Sequence, residues 1–194
     1  MKAVAALNTL ASELPESLTA PFAQYHLGFA LVASGDVEGA ATAFSAAANA
    51  KGAEEGLRME SRFRAAELYD KLGWAAAALA AYEQLRNEFP DSDYAQRADY
   101  GYAWALYHSG RYEEALSMTD AFLTQHADSP QAPGLEYLRG NCYYQQQKYE
   151  DALRVYAALR DKYTDSPFAG RALYKTAWAQ YLLGTITEAQ NAVK

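Results

Sequence analysis

The sequence predicts an all-α protein, a solenoid of antiparallel helix pairs, on three observations. One short pattern recurs along the chain: Gly35-Asp36-Val37-Glu38-Gly39-Ala40, Gly73-Trp74-Ala75-Ala76-Ala77-Ala78, Gly110-Arg111-Tyr112-Glu113-Glu114-Ala115, Gln147-Lys148-Tyr149-Glu150-Asp151-Ala152 and Gly184-Thr185-Ile186-Thr187-Glu188-Ala189. Its closing alanines stand at 40, 78, 115, 152 and 189, giving steps of 38, 37, 37 and 37 residues. Further columns keep the same phase: a small residue at Gly28, Ala66, Ala103, Gly140 and Ala177, a ring at Tyr25, Phe63, Tyr100, Tyr137 and Tyr174, and Phe44, Tyr82, Thr119 and Tyr156 four residues after the alanine. Finally, no stretch shows the period-2 alternation of a half-buried strand. Self-similarity at a fixed period of this length is the signature of a repeat array.

Within a unit, the residue before the Tyr-Glu-Glu-Ala type segment supplies a left-handed turn that ends the first helix. Apolar spacing then resumes at i, i+3 and i+4, as in Ala115, Leu116, Thr119, Phe122 and Leu123. The second helix stops at an Asp-Ser turn, at Asp91-Ser92, Asp128-Ser129 and Asp165-Ser166. There Pro130 and Pro167 bias the chain away from helix and the Asp and Ser side chains cap the helix that follows. In order, residues 1–20 read as the second half of a preceding unit, since Ala3 lies 37 before Ala40 and Leu7, Leu10 and Pro15-Glu16-Ser17 keep the phase. The units are 21–58, 59–95, 96–132, 133–169 and a truncated 170–194, together one array over 1–194. First helices are expected to start near 21, 59, 96, 133 and 170, with turns at Gly35, Gly73, Gly110, Gln147 and Gly184. The extra residue of the first step is placed near Gly52 to Gly56. The cut first and last units predict a piece of a longer array. Ala66, Ala103, Gly140 and Ala177 are expected to be buried between paired helices, and Tyr82 and Tyr156 to be packed between units.

Composition narrows the function. With 51% hydrophobic residues over 194 positions the chain has ample core, and no apolar run approaches the roughly 18 residues of a membrane-spanning helix. Direct membrane insertion by this segment is not expected. A net charge of −7 opposes the phosphate attraction behind most nucleic-acid affinity, so a DNA or RNA partner is excluded as an expectation. His26, His108 and His126 are scattered without a metal-binding spacing, and Cys142 is the single cysteine, at a position where small residues pack. No nucleophile elbow, phosphate-binding loop or dinucleotide fingerprint occurs. No catalytic residue, cofactor or metal is expected, and the chain reads as a non-enzyme.

The columns Gly28, Gly35, Ala40 and Phe44, and Gly140, Tyr143, Tyr149, Ala152 and Tyr156, resemble the tetratricopeptide repeat. The resemblance covers essentially the whole chain, with units about three residues longer than the usual 34 and with Arg139 and Thr176 where that family commonly has Leu. Within the superfamily, Phe89-Pro90-Asp91-Ser92, His126-Ala127-Asp128-Ser129-Pro130-Gln131-Ala132 and Tyr163-Thr164-Asp165-Ser166-Pro167-Phe168-Ala169 resemble a bacterial cell-envelope branch. That branch includes the periplasmic coordinator of the Tol-Pal system and the helical lipoprotein of the outer-membrane barrel-assembly machine. The resemblance implies a right-handed superhelix whose first helices line a concave groove. It also implies a periplasmic or outer-membrane-associated protein, a cytoplasmic one being the alternative.

Carried over by column, the groove residues are Tyr100, Tyr137 and Tyr174 at the fifth position of the first helix, Trp104 and Trp178 at the ninth, and Tyr107, Tyr144 and Tyr181 at the twelfth. These positions are four and three apart and share one helical face. Arg97 and Arg171 are expected to hold a carboxylate in the same groove, with Gly134 interrupting their column. The function this implies is a protein–protein interaction scaffold that binds a protein or peptide in its groove, within a cell-envelope complex. The alternatives are a self-assembly module forming a homo-oligomer, or the non-catalytic part of a larger secretion, polysaccharide-export or enzyme protein.

Overall fold

A computed structural model describes residues 2–13 and 17–192. All ten elements among them are α-helices: α1 (Lys2–Glu13), α2 (Ala20–Ser34), α3 (Val37–Asn49), α4 (Glu55–Lys71), α5 (Ala75–Glu88), α6 (Asp93–His108), α7 (Tyr112–Gln125), α8 (Ala132–Gln145), α9 (Tyr149–Lys162) and α10 (Pro167–Ala192). The chain divides into two compact units, Met1–Ser109 with α1 to α6 and Gly110–Lys194 with α7 to α10. In each, consecutive helices pack on one another, and first helices also touch the next first helix, α2 on α4 and α4 on α6 in one unit, α8 on α10 in the other.

The turns between paired helices share one geometry. The Gly35 amide donates to the Val32 carbonyl at 3.1 Å and the Asp36 amide to the Leu31 carbonyl at 3.0 Å, a Schellman closure that needs a left-handed residue, and Gly35 has φ +84°. Gln147 makes the same closure: its amide donates to Tyr144 at 3.0 Å, and that of Lys148 to Tyr143 at 2.9 Å, at φ +61° without a glycine. Between units the chain turns on serine, as where Ser92 Oγ accepts from the Ala95 amide at 3.1 Å and starts α6. The expected insertion falls in the turn at 50–54, where Gly52 has φ +78°.

Small residues set the spacing of the pairs. Ala66 and Ala103 are fully buried, and Gly28 and Gly140 are buried beneath the rings of Phe44 and Tyr156. Tyr82 and Tyr156 are buried, Tyr82 against Phe63 of α4 and with its ring tip over Gly101 of α6. Arg62 of α4, nearly fully buried, pairs at 2.6 Å with Glu88 of α5 and donates at 3.2 Å to Asn49 of α3. Pairing with the exposed Glu88 carboxylate spares the buried guanidinium the cost of an isolated buried ion.

Two expectations fail at the last unit. No turn forms at Gly184: α10 runs straight through it to Ala192, and Gly184 has no positive φ. A mid-helix glycine costs only about 1 kcal/mol, so the turn needs the packing of a second helix to hold it. Ala177, expected to be buried, is exposed for the same reason, since among the described residues no second helix closes over it.

The strained Gln147 gives a direct check. A side chain in the left-handed region costs about 1 kcal/mol, partly offset by the greater freedom of glycine in the unfolded chain. Gln147→Gly is therefore expected to raise stability by about 0.5 kcal/mol in urea denaturation.

Candidate functional site

In the first unit, the side-by-side packing of α2, α4 and α6 brings together residues that are far apart in sequence. On α6, Tyr100, Trp104, Tyr107 and His108 form a continuous run of rings: Tyr100 to Trp104 at 6.3 Å between centroids, Trp104 to Tyr107 at 5.8 Å edge-on, and Trp104 to His108 at 5.7 Å. Tyr100, Trp104 and Tyr107 are half-buried, and the Trp104 Nε1–H is shielded from solvent with no acceptor among the described residues.

Beside this run lies a charged cluster that the sequence reading missed. Arg64 donates to Glu60 through Nε at 2.9 Å and Nη2 at 2.7 Å, and its guanidinium lies 4.6 Å from the centre of the Phe29 ring. Burial alone would raise the Glu60 carboxyl, but hydrogen bonds from Arg64 and from the Tyr25 hydroxyl outweigh it and hold the group below its ordinary range. Glu67 goes the other way: burial pushes its carboxyl up, and Arg97 and Arg64 offset this only in part. Asp70 meets His108 Nδ1 at 3.0 Å, and that hydrogen bond raises the imidazole's pKa against the opposing pull of burial. Arg97, expected to clamp a carboxylate, lies over Phe63 at 4.2 Å and Tyr94 at 4.9 Å. The i, i+4 spacing of Glu60 and Arg64 was a readable signal, whereas Asp70 and His108 are 38 residues apart and meet only through packing.

In the second unit the expected groove residues separate. Tyr137 is buried, packed at a tilt between Tyr156 at 6.0 Å and Phe168 at 5.6 Å, and so has little surface to offer a partner. Asn141, one repeat after Trp104, is buried and accepts a 2.8 Å hydrogen bond from the Tyr156 hydroxyl. Tyr144 is half-buried, with the Lys175 ammonium 4.5 Å from its ring centre. Arg171 lies 5.2 Å from the Phe168 ring. Tyr174, Trp178 and Tyr181 are exposed and, with Ala177, line a shallow apolar cavity of about 350 Å³.

Cys142 is fully buried and its thiol is pushed up to about 12 by burial, so it is a packed, protonated side chain. Among the described residues no group of three or more His, Cys, Asp or Glu is placed to hold a metal ion, and no helix is long and apolar enough to cross a membrane.

With this geometry in place, three family models match: an outer membrane lipoprotein family, YfiO, over residues 63–150, and tetratricopeptide repeat models over 137–192 and 21–45. The repeats are thus of the tetratricopeptide type, and the middle of the chain is similar to the envelope lipoprotein family. No curated protein matches. Among solved structures, a tetratricopeptide repeat protein from Parabacteroides merdae superposes with a TM-score of 0.71 at 18% identity over 97% of this chain and 68% of that one. YrrB, described as a tetratricopeptide repeat protein with an unusual peptide-binding site, has a TM-score of 0.66 at 23% identity over 89% and 84%. The Rap conjugation gene regulator of plasmid pLS20, solved with the Phr* peptide, has 0.66 at 18% over 90% and 52%. At these identities the likeness is one of fold, a tetratricopeptide-type solenoid.

The Asp70–His108 pair makes the stability of the first unit depend on pH. Because the folded imidazole's pKa is raised, the contribution is fully present below the ordinary histidine value of 6.5 and is lost as pH rises through the elevated one. Asp70→Asn is expected to lower the His108 titration midpoint in NMR and to flatten the fall in urea midpoint over this range; an unchanged His108 titration would separate the two residues.

Proposed function

We propose that this chain is a non-catalytic protein-binding scaffold that takes a peptide segment of its partner on the first-helix face of α2, α4 and α6, in a complex of the bacterial cell envelope. One observation carries the reading: the half-open run of Tyr100, Trp104 and Tyr107 beside the charged cluster of Glu60, Arg64, Glu67 and Asp70. Rings with polar tips are frequent interface anchors because they give large rigid contact area at low entropic cost. The neighbouring carboxylates and arginines can meet the polar groups of a bound backbone or side chain. Helices already packed on one another lose little freedom when a partner orders itself on them. Peptide-binding proteins among the similar folds support the mode of binding, and the match to an outer membrane lipoprotein family supports the envelope setting, periplasmic or at the outer membrane.

Tyr144 and its Lys175 neighbour offer a smaller contact of the same kind on the second unit. Tyr137 belongs to packing, and Tyr174, Trp178 and Tyr181 are exposed on α10 of the second unit.

A peptide selected from a random library on the wild-type chain provides the test. Trp104→Ala is expected to weaken its binding about 30-fold, roughly 2 kcal/mol, with unchanged helical circular dichroism. Selected peptides that bind the variant as tightly as wild type would move the site away from α6.

A further inference from the structure

Repeat spacing puts Phe29, Glu67 and Trp104 in one column of the first helices and Val32, Asp70 and Tyr107 in the next. The face is therefore apolar on α2 where it is charged on α4. Between α4 and α6 the tip of the Tyr82 ring lies over Gly101. Between α2 and α4 the equivalent ring, Phe44, sits on Gly28 and packs edge-on against Phe29 at 5.1 Å between centroids. There a cavity of about 140 Å³ stays open, lined by Phe29 and Val32 of α2, Phe44 of α3, and Arg64, Glu67 and Leu68 of α4. Charge around its mouth is unevenly met. Arg64 gives Nε and Nη2 to Glu60, Asp70 is held by His108, and Arg97 lies flat on Phe63 and Tyr94. Glu67 makes no hydrogen bond or ion pair among the described residues. It is open to solvent on one side, yet its surroundings remove enough water to raise its carboxyl, an effect that Arg97 and Arg64 offset only in part.

We infer that this cavity is an anchor pocket for the bound segment: one apolar side chain of the partner fills it, and a Lys or Arg next to that side chain pairs with Glu67. Size sets the first half of the choice. An apolar cavity of about 150 Å³ admits a benzene molecule, so this one takes the side chain of Leu, Ile, Met or Phe and is too small for Trp. Charge sets the second half. The carboxylate at the mouth is the group left without a partner, while the arginines beside it are engaged with Glu60 and with rings. The chain's net charge of −7 also draws basic segments from a distance. Reach is adequate, because neighbouring residues of an extended segment are about 3.8 Å apart and Glu67 itself lines the cavity. The inference rests on the reading of α2, α4 and α6 as a peptide-binding face and deepens it: the cavity and Glu67 select the sequence of a segment whose other part lies on Trp104.

Selection from a fully randomised linear peptide library on the 194-residue chain, followed by synthesis of the most enriched peptide, provides the test. Enriched peptides are expected to carry Leu, Ile, Met or Phe beside Lys or Arg. Replacing that basic residue by Gln in the synthetic peptide is expected to weaken binding to wild type about tenfold, the effect of losing one charge-assisted hydrogen bond, and to change little on Glu67→Gln. Val32→Trp, at an exposed position, fills the cavity and is expected to weaken the unaltered peptide by a similar factor, with helical circular dichroism unchanged in both variants. Peptides enriched in acidic residues instead would overturn the inference and point to Arg97. So would a peptide that needs its basic residue equally on Glu67→Gln, or one that binds Val32→Trp as tightly as wild type. Any of these results together with weakened binding to Trp104→Ala overturns the pocket and leaves the face on α6 standing. Loss on Glu67→Gln and Val32→Trp with none on Trp104→Ala does the reverse, and a library that yields no binder overturns both.

Discussion

The close approach of a second-helix ring to a small first-helix residue is the contact on which the rest of this structure depends. Phe44 over Gly28 and Tyr156 over Gly140 leave no room for a Cβ, and Ala66 and Ala103 hold the same column without any exposure. The contact fixes the distance between paired helices and turns the second-helix aromatics inward, where apolar burial contributes most. Where the column holds Ala66, the Tyr82 ring lodges its tip over Gly101 of the following helix. At unit four the buried ring also needs a polar partner, and Asn141 accepts its hydroxyl.

This arrangement decides what the first helices can offer. With small residues committed to the second helix, the adjoining columns of α2, α4 and α6 are free to carry other chemistry. On α4 they carry Glu60, Arg64, Glu67 and Asp70, and on α6 a run of rings. Opposite charges largely satisfy one another there, so the face is a mixed surface in which Glu67 is held partly protonation-prone by burial and Asp70 is tied to His108. Exposed rings therefore occur in two settings. Those of α6 are half-open beside the charged residues of α4, and Tyr174, Trp178 and Tyr181 of α10 are exposed, with no second helix over them among the described residues.

Most of the fold was legible because its determinants are local and repeated. The left-handed turns at Gly35, Gly73 and Gly110 follow from glycine itself, and the one at Gln147 from its register, despite the side chain. The small-residue column was readable from spacing for the same reason. What failed depended on packing beyond the local segment. A turn at Gly184 requires a second helix to hold it, and without one the helix continues. Asn141 follows Trp104 by one repeat, yet it is buried, where it accepts from the Tyr156 hydroxyl. The site was legible in its rings and not in its charges: Trp104 and Tyr107 announced themselves by spacing, whereas the Asp70–His108 pair joins two helices and has no signature in either.

Gly28→Ala, measured by urea denaturation, tests the central contact through the sign of its effect. In an ordinary helix interior this substitution stabilises by about 1 kcal/mol, because alanine is the better helix former. Here the added Cβ meets the Phe44 ring at 2.7 Å, a distance that forces the ring or the helix to shift. Loss of stability of about 1–3 kcal/mol is the expected result, since overpacking outweighs the gain in propensity. A variant as stable as wild type, or more stable, would show that the ring and the small residue do not set the spacing of the helices.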